Sequence, residues 1–295
     1  MNSISSQQNE DGFLTLLAAQ RRLYNEEKAR MAVWIFAVLA VTLAGTGVIR
    51  GFEEYLPFFT FGALLLAAGE YWYLKTLSKK RAQAARIQEM FDGKLFQLEW
   101  NKFSAGKLPR SAIIATAAAR LKRKKGEWEK LRDWYSSAKP ELPLAHARLL
   151  CQRENLAWDS DLRRTYAVCI LGLILAATIL LFLTALKLNL GMANFFGVPI
   201  ILFLPLFTLG LSHAWAQWKV AQRGAELHEA LEEVLEGITH GKSEDSILMQ
   251  AARNLQNEIF HQRADNIPVW NWFYNALKKS FHTRQQRANQ VALPQ

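Results

Sequence analysis

Residues 120–135 hold the densest chemistry in the chain: Arg120, Lys122, Arg123, Lys124 and Lys125, then Trp128, Arg132, Trp134 and Tyr135. Cations beside aromatic rings can hold a nucleotide, the charges on phosphate and the rings against a base. The same letters also fit a solvated basic face over a Trp-filled core. A second set, Arg153, Trp158, Asp159, Asp161, Arg163 and Arg164, runs up to an uncharged stretch, where the arginines can pair with the aspartates or meet lipid headgroups. The sequence carries no phosphate-cradling glycine loop, no zinc-type Cys/His spacing and no His-Glu-x-x-His. Its six histidines, His146, His213, His228, His240, His261 and His282, are scattered, and Cys151 and Cys169 read as packing residues. The reading is a binding protein that is not an enzyme and uses no cofactor or metal.

These side chains must be positioned by a sequence that separates sharply into apolar and charged stretches. Residues 31–49 carry no charge, 55–74 carry only Glu70, 165–186 carry none, and 188–218 have only His213 as a titratable group. Each matches the roughly 18 to 20 residues that cross about 30 Å of hydrocarbon. The first lies behind a polar head and ends in Gly-Thr-Gly, unlike a cleaved signal peptide. The expectation is an all-α membrane protein with four transmembrane helices in two hairpins and a helical cytoplasmic domain built from the central region and C-terminal tail.

The divisions are 1–30 for an N-terminal cytoplasmic or interfacial helix, 31–74 and 166–215 for the hairpins, 75–165 for a basic helical region and 216–295 for a C-terminal helical region. Positive residues flank the outer ends of both hairpins, so the termini and the centre are expected in the cytoplasm. From position 75 to 165 there are 21 Lys+Arg against 10 Asp+Glu, so the excess charge is central. Such a region meets anionic lipid at about 1 kcal/mol per cation, or a phosphate-bearing ligand.

Residues 1–12, rich in Ser, Gln and Asn, read as disordered, and Phe13 to Arg30 as an amphipathic anchor helix. Gly45 and Gly47 allow close helix approach. Glu70 is either a snorkelling carboxylate or a pore group. Pro199 and Pro205 should make the fourth span bend or begin late, as a gate or a packing kink. Leu227, Ala230, Leu231, Val234, Leu235 and Ile238 form a narrow apolar seam. The cluster Ile267 to Tyr274 is too apolar to be left in water and should dock.

The order of several short patterns around the four spans resembles the SMODS-associated four-transmembrane effector family of bacterial antiphage defence. They are Leu17-Ala18-Ala19-Gln20-Arg21-Arg22-Leu23-Tyr24, Ile87-Gln88-Glu89-Met90-Phe91-Asp92, Leu98-Glu99-Trp100-Asn101 and Asp133-Trp134-Tyr135. With them stand Ala147-Arg148, Cys151-Gln152-Arg153, Asn155, Trp158-Asp159, Leu162-Arg163-Arg164, Tyr166, Gln256-Asn257-Glu258-Ile259-Phe260 and Trp272-Phe273-Tyr274. Asn271 departs from the pattern, which carries an acidic residue there.

The resemblance implies an inner-membrane effector with both termini cytoplasmic. It answers a cyclic nucleotide second messenger, associates into a homo-oligomer and permeabilises the bilayer, without binding a nucleic acid polymer. Candidate ligand residues are Arg153, Trp158, Arg163 and Arg164, with Lys124, Lys125, Arg132 and Tyr135; candidate gating or pore residues are Glu70, Pro199 and Pro205. The alternative is a membrane scaffold that recruits a partner through the seam of residues 227–238. A third class, a membrane-bound enzyme, would show one compact pocket whose loss abolishes turnover.

Overall fold

The computed structural model describes residues 2–48, 53–137, 139–187, 199–239 and 245–277, and among these it is helical with no strand. A four-residue α1 (Ile4–Gln7) leads into α2 (Asp11–Val48), α3 (Leu56–Leu95), a short α4 (Lys102–Ala105) and α5 (Ser111–Lys122). Then come α6 (Leu144–Lys187), α7 (Pro199–Thr239) and α8 (Asp245–Asp265), with 3₁₀ turns at Glu53–Tyr55 and Glu129–Leu131. Residues 271–277 are also helical.

The long helices each join a charged half to an apolar half without interruption. In α2 nothing breaks the register between Phe13 and Gly45, so the amphipathic head and the apolar stretch are one rod. Pro57 opens α3, where its missing N–H costs nothing. The reversal after α3 uses Gln97 at φ 53°, and Asn101 caps α4 by accepting from the N–H groups of Phe103 and Ser104. Pro199 begins α7 and Pro205 lies inside it.

Among the described residues three helices contain stretches long and apolar enough to cross a membrane: Asp11–Gly45, Leu144–Lys187 and Ile200–Ile238. The expected second span, in α3, is not among them. Glu70 and the run Tyr71, Trp72 and Tyr73 make that stretch less apolar than its length suggests. It nevertheless leaves Phe58, Phe61 and Leu65 exposed, as α2 leaves Phe36 and α6 leaves Leu173 and Leu180. Lipid-facing helices need such surfaces and water-facing ones avoid them.

In the apolar half, helices approach at glycine. A Cβ on Gly45 would lie 2.6 Å from Leu202 Cδ2, and one on Gly210 would lie 2.8 Å from Ile174 Cδ1. Thr42 Oγ1 donates to the Leu202 carbonyl at 2.9 Å beside the first of these crossings. The surroundings of Gly47, and residues 188–198, lie outside what the structure describes.

The charged half has its own core. Leu14, Leu17, Ile87, Phe91, Leu95, Phe96, Leu121, Leu131, Leu149 and Leu156 are fully buried, drawing together α2, α3, α5, the 129–131 turn and α6. The amino-terminal residues are part of this core, which corrects the disordered reading of 1–12. Ile4 is fully buried, Asn2 Nδ2 donates to the carbonyls of Lys139 and Leu142, and Gln8 exchanges two hydrogen bonds with the Tyr135 backbone. Polarity misled the reading because these amides satisfy backbone groups of a turn and do not face water.

Candidate ligand site

Where the charged half meets the apolar half, a cavity of about 300 Å³ opens between α2, α6, α8 and the segment after α8. That is the small end of the range for ligand pockets. Three helix faces build it. Gln20, Arg21, Tyr24, Asn25 and Lys28 come from α2; Glu154, Asn155, Trp158, Asp159, Leu162 and Arg163 from α6; Ile259, Gln262, Arg263 and Asn266 from α8. Each set recurs at three and four residues, the spacing that stacks side chains on one helix face. Trp134, Tyr135, Asn271 and Tyr274 complete the wall.

The lining carries four cations, Arg21, Lys28, Arg163 and Arg263, against two carboxylates, Glu154 and Asp159. Both carboxylates are engaged. Glu154 accepts from the backbone N–H of Ser136 and Ser137, and Asp159 Oδ2 accepts from Arg163 Nε at 2.6 Å. Arg163 is itself buried, and its Nη1 donates to Gln217 Oε1 on α7 at 2.6 Å and to the Ile267 carbonyl at 3.2 Å. Arg263 is spoken for as well, since its Nη1 donates to the fully buried Asp92. Burial alone would lower the Arg263 pKa, but the Asp92 carboxylate holds it above the usual arginine value.

Asp92 is the centre of a polar network. Tyr135 Oη donates to its Oδ1 at 2.6 Å, Gln256 Nε2 to its Oδ2 at 3.1 Å, and Asn155 Nδ2 donates to Tyr135 Oη at 2.7 Å. Burial, then Asp92, pushes the Tyr135 phenol well above its ordinary value, so it stays a neutral donor. The network fixes the side of the cavity formed by Tyr135, Asn155 and Arg263.

Arg21 and Lys28 differ, because neither is in a salt bridge among the described residues. Arg21 Nη1 and Gln262 Nε2 are buried and have no hydrogen-bond partner. Lys28 Nζ donates to Asn271 Oδ1 at 2.6 Å, and Asn271 Nδ2 donates to Asn25 Oδ1 at 2.8 Å. Lys28 precedes the apolar stretch by three residues. Burial first, and then the repulsion of Arg21 and Arg163 against the pull of Glu27, lowers its pKa to about 8. An acidic residue at 271 would neutralise this amine; the amide oxygen only accepts its hydrogen bond. The site therefore has donors and positive charge in surplus, with Trp158 and Tyr274 edge-to-face at 5.3 Å on one wall. It can hold an anion carrying a flat ring system.

Of the residues singled out in the sequence, Trp158, Arg163 and Tyr135 meet at this cavity. Arg153 pairs with Glu232 of α7, and Arg164 is exposed. Lys124 and Lys125 are exposed in the turn after α5, where Arg132 pairs with Glu129. Glu70 is buried between α3 and α7, its Oε2 accepting from Thr208 at 2.9 Å and its Oε1 from Ser212 at 3.0 Å. It faces a neighbouring helix and does not snorkel. Among the described residues no group of His, Cys, Asp and Glu could hold a metal ion. Sequence reasoning counted Arg21 and Lys28 only among the positive charges flanking the first span and passed over Gln262 and Arg263; the polar stripes on α2 and α8 were the available signal.

The chain is 24% identical over 277 residues to a Bacillus cereus (strain VD146) protein named a probable CBASS effector molecule, with 90% of each chain covered. No solved structure matches it. Residues 2–292 match the SMODS-associating 4TM effector domain, and the chain belongs to that family.

Proposed function

We propose that this protein is a CBASS effector of bacterial antiphage defence, sitting in the inner membrane with its charged half in the cytoplasm. A cyclic nucleotide second messenger binds the cavity and drives several copies to associate and permeabilise the bilayer. In this reading α3 supplies the second span as well, making two hairpins whose cytoplasmic ends carry the site.

The observation that carries the reading is the cavity's place and chemistry. It lies at the roots of the long helices, and two residues of its wall, Arg21 and Gln262, each carry a buried donor nitrogen with nothing to bond. Buried donors without partners cost about 1–3 kcal/mol each, a cost that a phosphate ester relieves on binding. Trp158 and Tyr274 supply ring surface for a base. Arg163 then links the site to α7 through Gln217, and α6 continues from the cavity through its own apolar stretch. Permeation would run between copies, because the apolar stretches of one copy are lined mainly by Leu, Ile, Phe and Ala.

The test is dye and ion leakage from liposomes holding the purified protein, with and without a panel of cyclic di- and trinucleotides. Leakage with one nucleotide, abolished by Arg21→Glu in a protein that still inserts, is the expected result. Absence of leakage with every nucleotide, in folded and inserted protein, would overturn the proposal.

A further inference from the structure

The basic turn that closes α5 lies outside the cavity, and the fold fixes how near it stands to the apolar half. On α3 Lys75 reaches over the exposed rings of Tyr71 and Trp72, and on α7 Lys219 reaches over the exposed ring of Trp215, pairings that suit a headgroup layer. Five residues beyond Lys75, Lys80 bonds Glu26 of α2, which is itself five residues before Met31. At 1.5 Å per helical residue, Glu26 stands about 7.5 Å from the apolar boundary on both helices. A headgroup layer is about 5–8 Å deep, so Glu26 marks its outer edge.

Glu26 also receives Arg120, near the end of α5, at 3.4 Å. The chain climbs to that level and leaves it again. Ala105 is bonded to Arg86, six helical residues past Lys80 and so about 9 Å farther from the boundary. After the turn, Asp133 bonds Asn9 and the Tyr135 backbone bonds Gln8, both before the start of α2. Residues 120–127 are therefore the crest of the excursion. α5 packs on α2 and on no other long helix to a comparable extent, which sets the crest beside the bundle, under lipid and not under protein.

Charge at the crest is uncompensated. Lys122, Arg123, Lys124 and Lys125 are exposed and in no salt bridge among the described residues, with Lys122 Nζ 4.7 Å from the centre of the Trp128 ring. Glu26 is shared among Arg22, Lys80 and Arg120. The acidic residues that follow the turn, Glu127 and Glu129, are bonded to Lys130 and Arg132. Gly126, at φ 75°, lets the backbone reverse within the crest. Four free cations held at the outer edge of a headgroup layer are within reach of its phosphates.

We infer that residues 122–125 bind the phosphate headgroups of anionic phospholipids, docking α5, and through it the head of α2, on the leaflet beside the charged half. The inference rests on the membrane reading above and adds a surface which that reading does not use. Each cation near an anionic leaflet strengthens such a contact about fivefold. Lys102, Lys107 and Arg110 are exposed as well. Arg110, however, is about 15 Å back along α5 from Arg120, beyond the ~8 Å at which salt screens a charge, so these three take no part.

The test uses the full chain, Cys169→Ser with Ala119→Cys, carrying a fluorophore at position 119 and reconstituted in phosphatidylcholine vesicles with a minor share of phosphatidylglycerol. Quenching is compared between phosphatidylglycerol spin-labelled near the headgroup end of one acyl chain and phosphatidylcholine bearing the same label at equal mole fraction. The anionic lipid should quench at least about threefold more strongly. Lys122→Gln, Arg123→Gln, Lys124→Gln and Lys125→Gln together should bring that ratio near one, while Lys122→Arg, Lys124→Arg and Lys125→Arg should keep it. Lys102→Gln, Lys107→Gln and Arg110→Gln should also keep it. Equal quenching by the two lipids in the parent chain, or a ratio unmoved by the four glutamines, overturns the inference. So does a ratio abolished by excess inorganic phosphate at constant ionic strength, which would make the turn a site for a soluble anion. Retention in the vesicles through an alkaline wash, and leakage, judge the earlier reading separately. A parental ratio in chain that stays inserted but never leaks supports the lipid contact and counts against the proposed function; loss of the chain in the wash overturns both.

Discussion

Arg163 on α6 donates to Gln217 on α7 at 2.6 Å while its Nε holds Asp159, so one buried guanidinium joins the cavity wall to the neighbouring long helix. Its sequence neighbour Arg164 is exposed. Arg163→Ala should cost about 2–4 kcal/mol, since it strands a fully buried glutamine oxygen and the Asp159 charge, which is partly screened by water. Arg164→Ala should change stability by no more than about 0.5 kcal/mol. Thermal unfolding of the two variants in the same detergent checks this separation.

The Lys28 amine gives the cavity a pH signature. Its folded pKa of about 8 lies below the ordinary 10.5, so between those values the unfolded chain holds more protons and stability rises with pH. Below about pH 8 the charged amine is carried at constant cost. A bound anion favours the charged form, so binding takes up a proton and nucleotide affinity should fall as pH rises through about 8. Calorimetric titration in buffers of different ionisation heat would detect the uptake, and Lys28→Arg should abolish both the uptake and the inflection.

Asp92 has no exposed surface and receives hydrogen bonds from Arg263, Tyr135 and Gln256. Asp92→Ala leaves a buried arginine without its counter-charge and should cost about 3–5 kcal/mol. The variant should accumulate poorly. The comparison variant Asp161→Ala, at an exposed helical position, should accumulate near the parental level. Detergent-extracted yield and limited proteolysis measure the difference.

In the apolar half, Gly45→Leu should separate α2 from α7, because even a Cβ there meets Leu202 at 2.6 Å. A cost of about 1–3 kcal/mol is expected for such overpacking. Gly12→Leu, where a Cβ has nothing within 4 Å, should not produce that penalty. Unfolding in mixed micelles distinguishes them. Between α3 and α7, Glu70→Gln can keep both contacts, its oxygen accepting from one hydroxyl and its amide donating to the other, whereas Glu70→Leu should lose them and cost about 1–3 kcal/mol.

The helical class was legible because uncharged runs of membrane length and i, i+3, i+4 spacing are periodic signals within a single segment. The docking of the 267–274 cluster was legible because so apolar a stretch is not left in water: Val269 and Phe273 pack on Leu162 and Tyr166. The cavity was only partly legible. Trp158 and Arg163 stood out by type, but Lys28 and Arg263 are 235 positions apart and meet only through packing. The basic cluster at 120–125 drew attention by density, yet Lys124 and Lys125 face solvent while single cations among amides line the site. Burial and partner count, which decide what a charge can do, have no signature in local composition.

α6 runs for 44 residues without a proline, from the polar wall of the cavity to Lys187. A rod of that length, about 66 Å, has no joint in which to absorb a rotation. A tilt of 5° imposed beside Asn155 and Trp158 would carry its far tip sideways by several ångströms, about the width of one side chain. α7, with Pro205 inside it, has a place to flex instead. The paired helices thus differ as a crowbar differs from a hinged strut, and leverage at the far end belongs to the one without a proline.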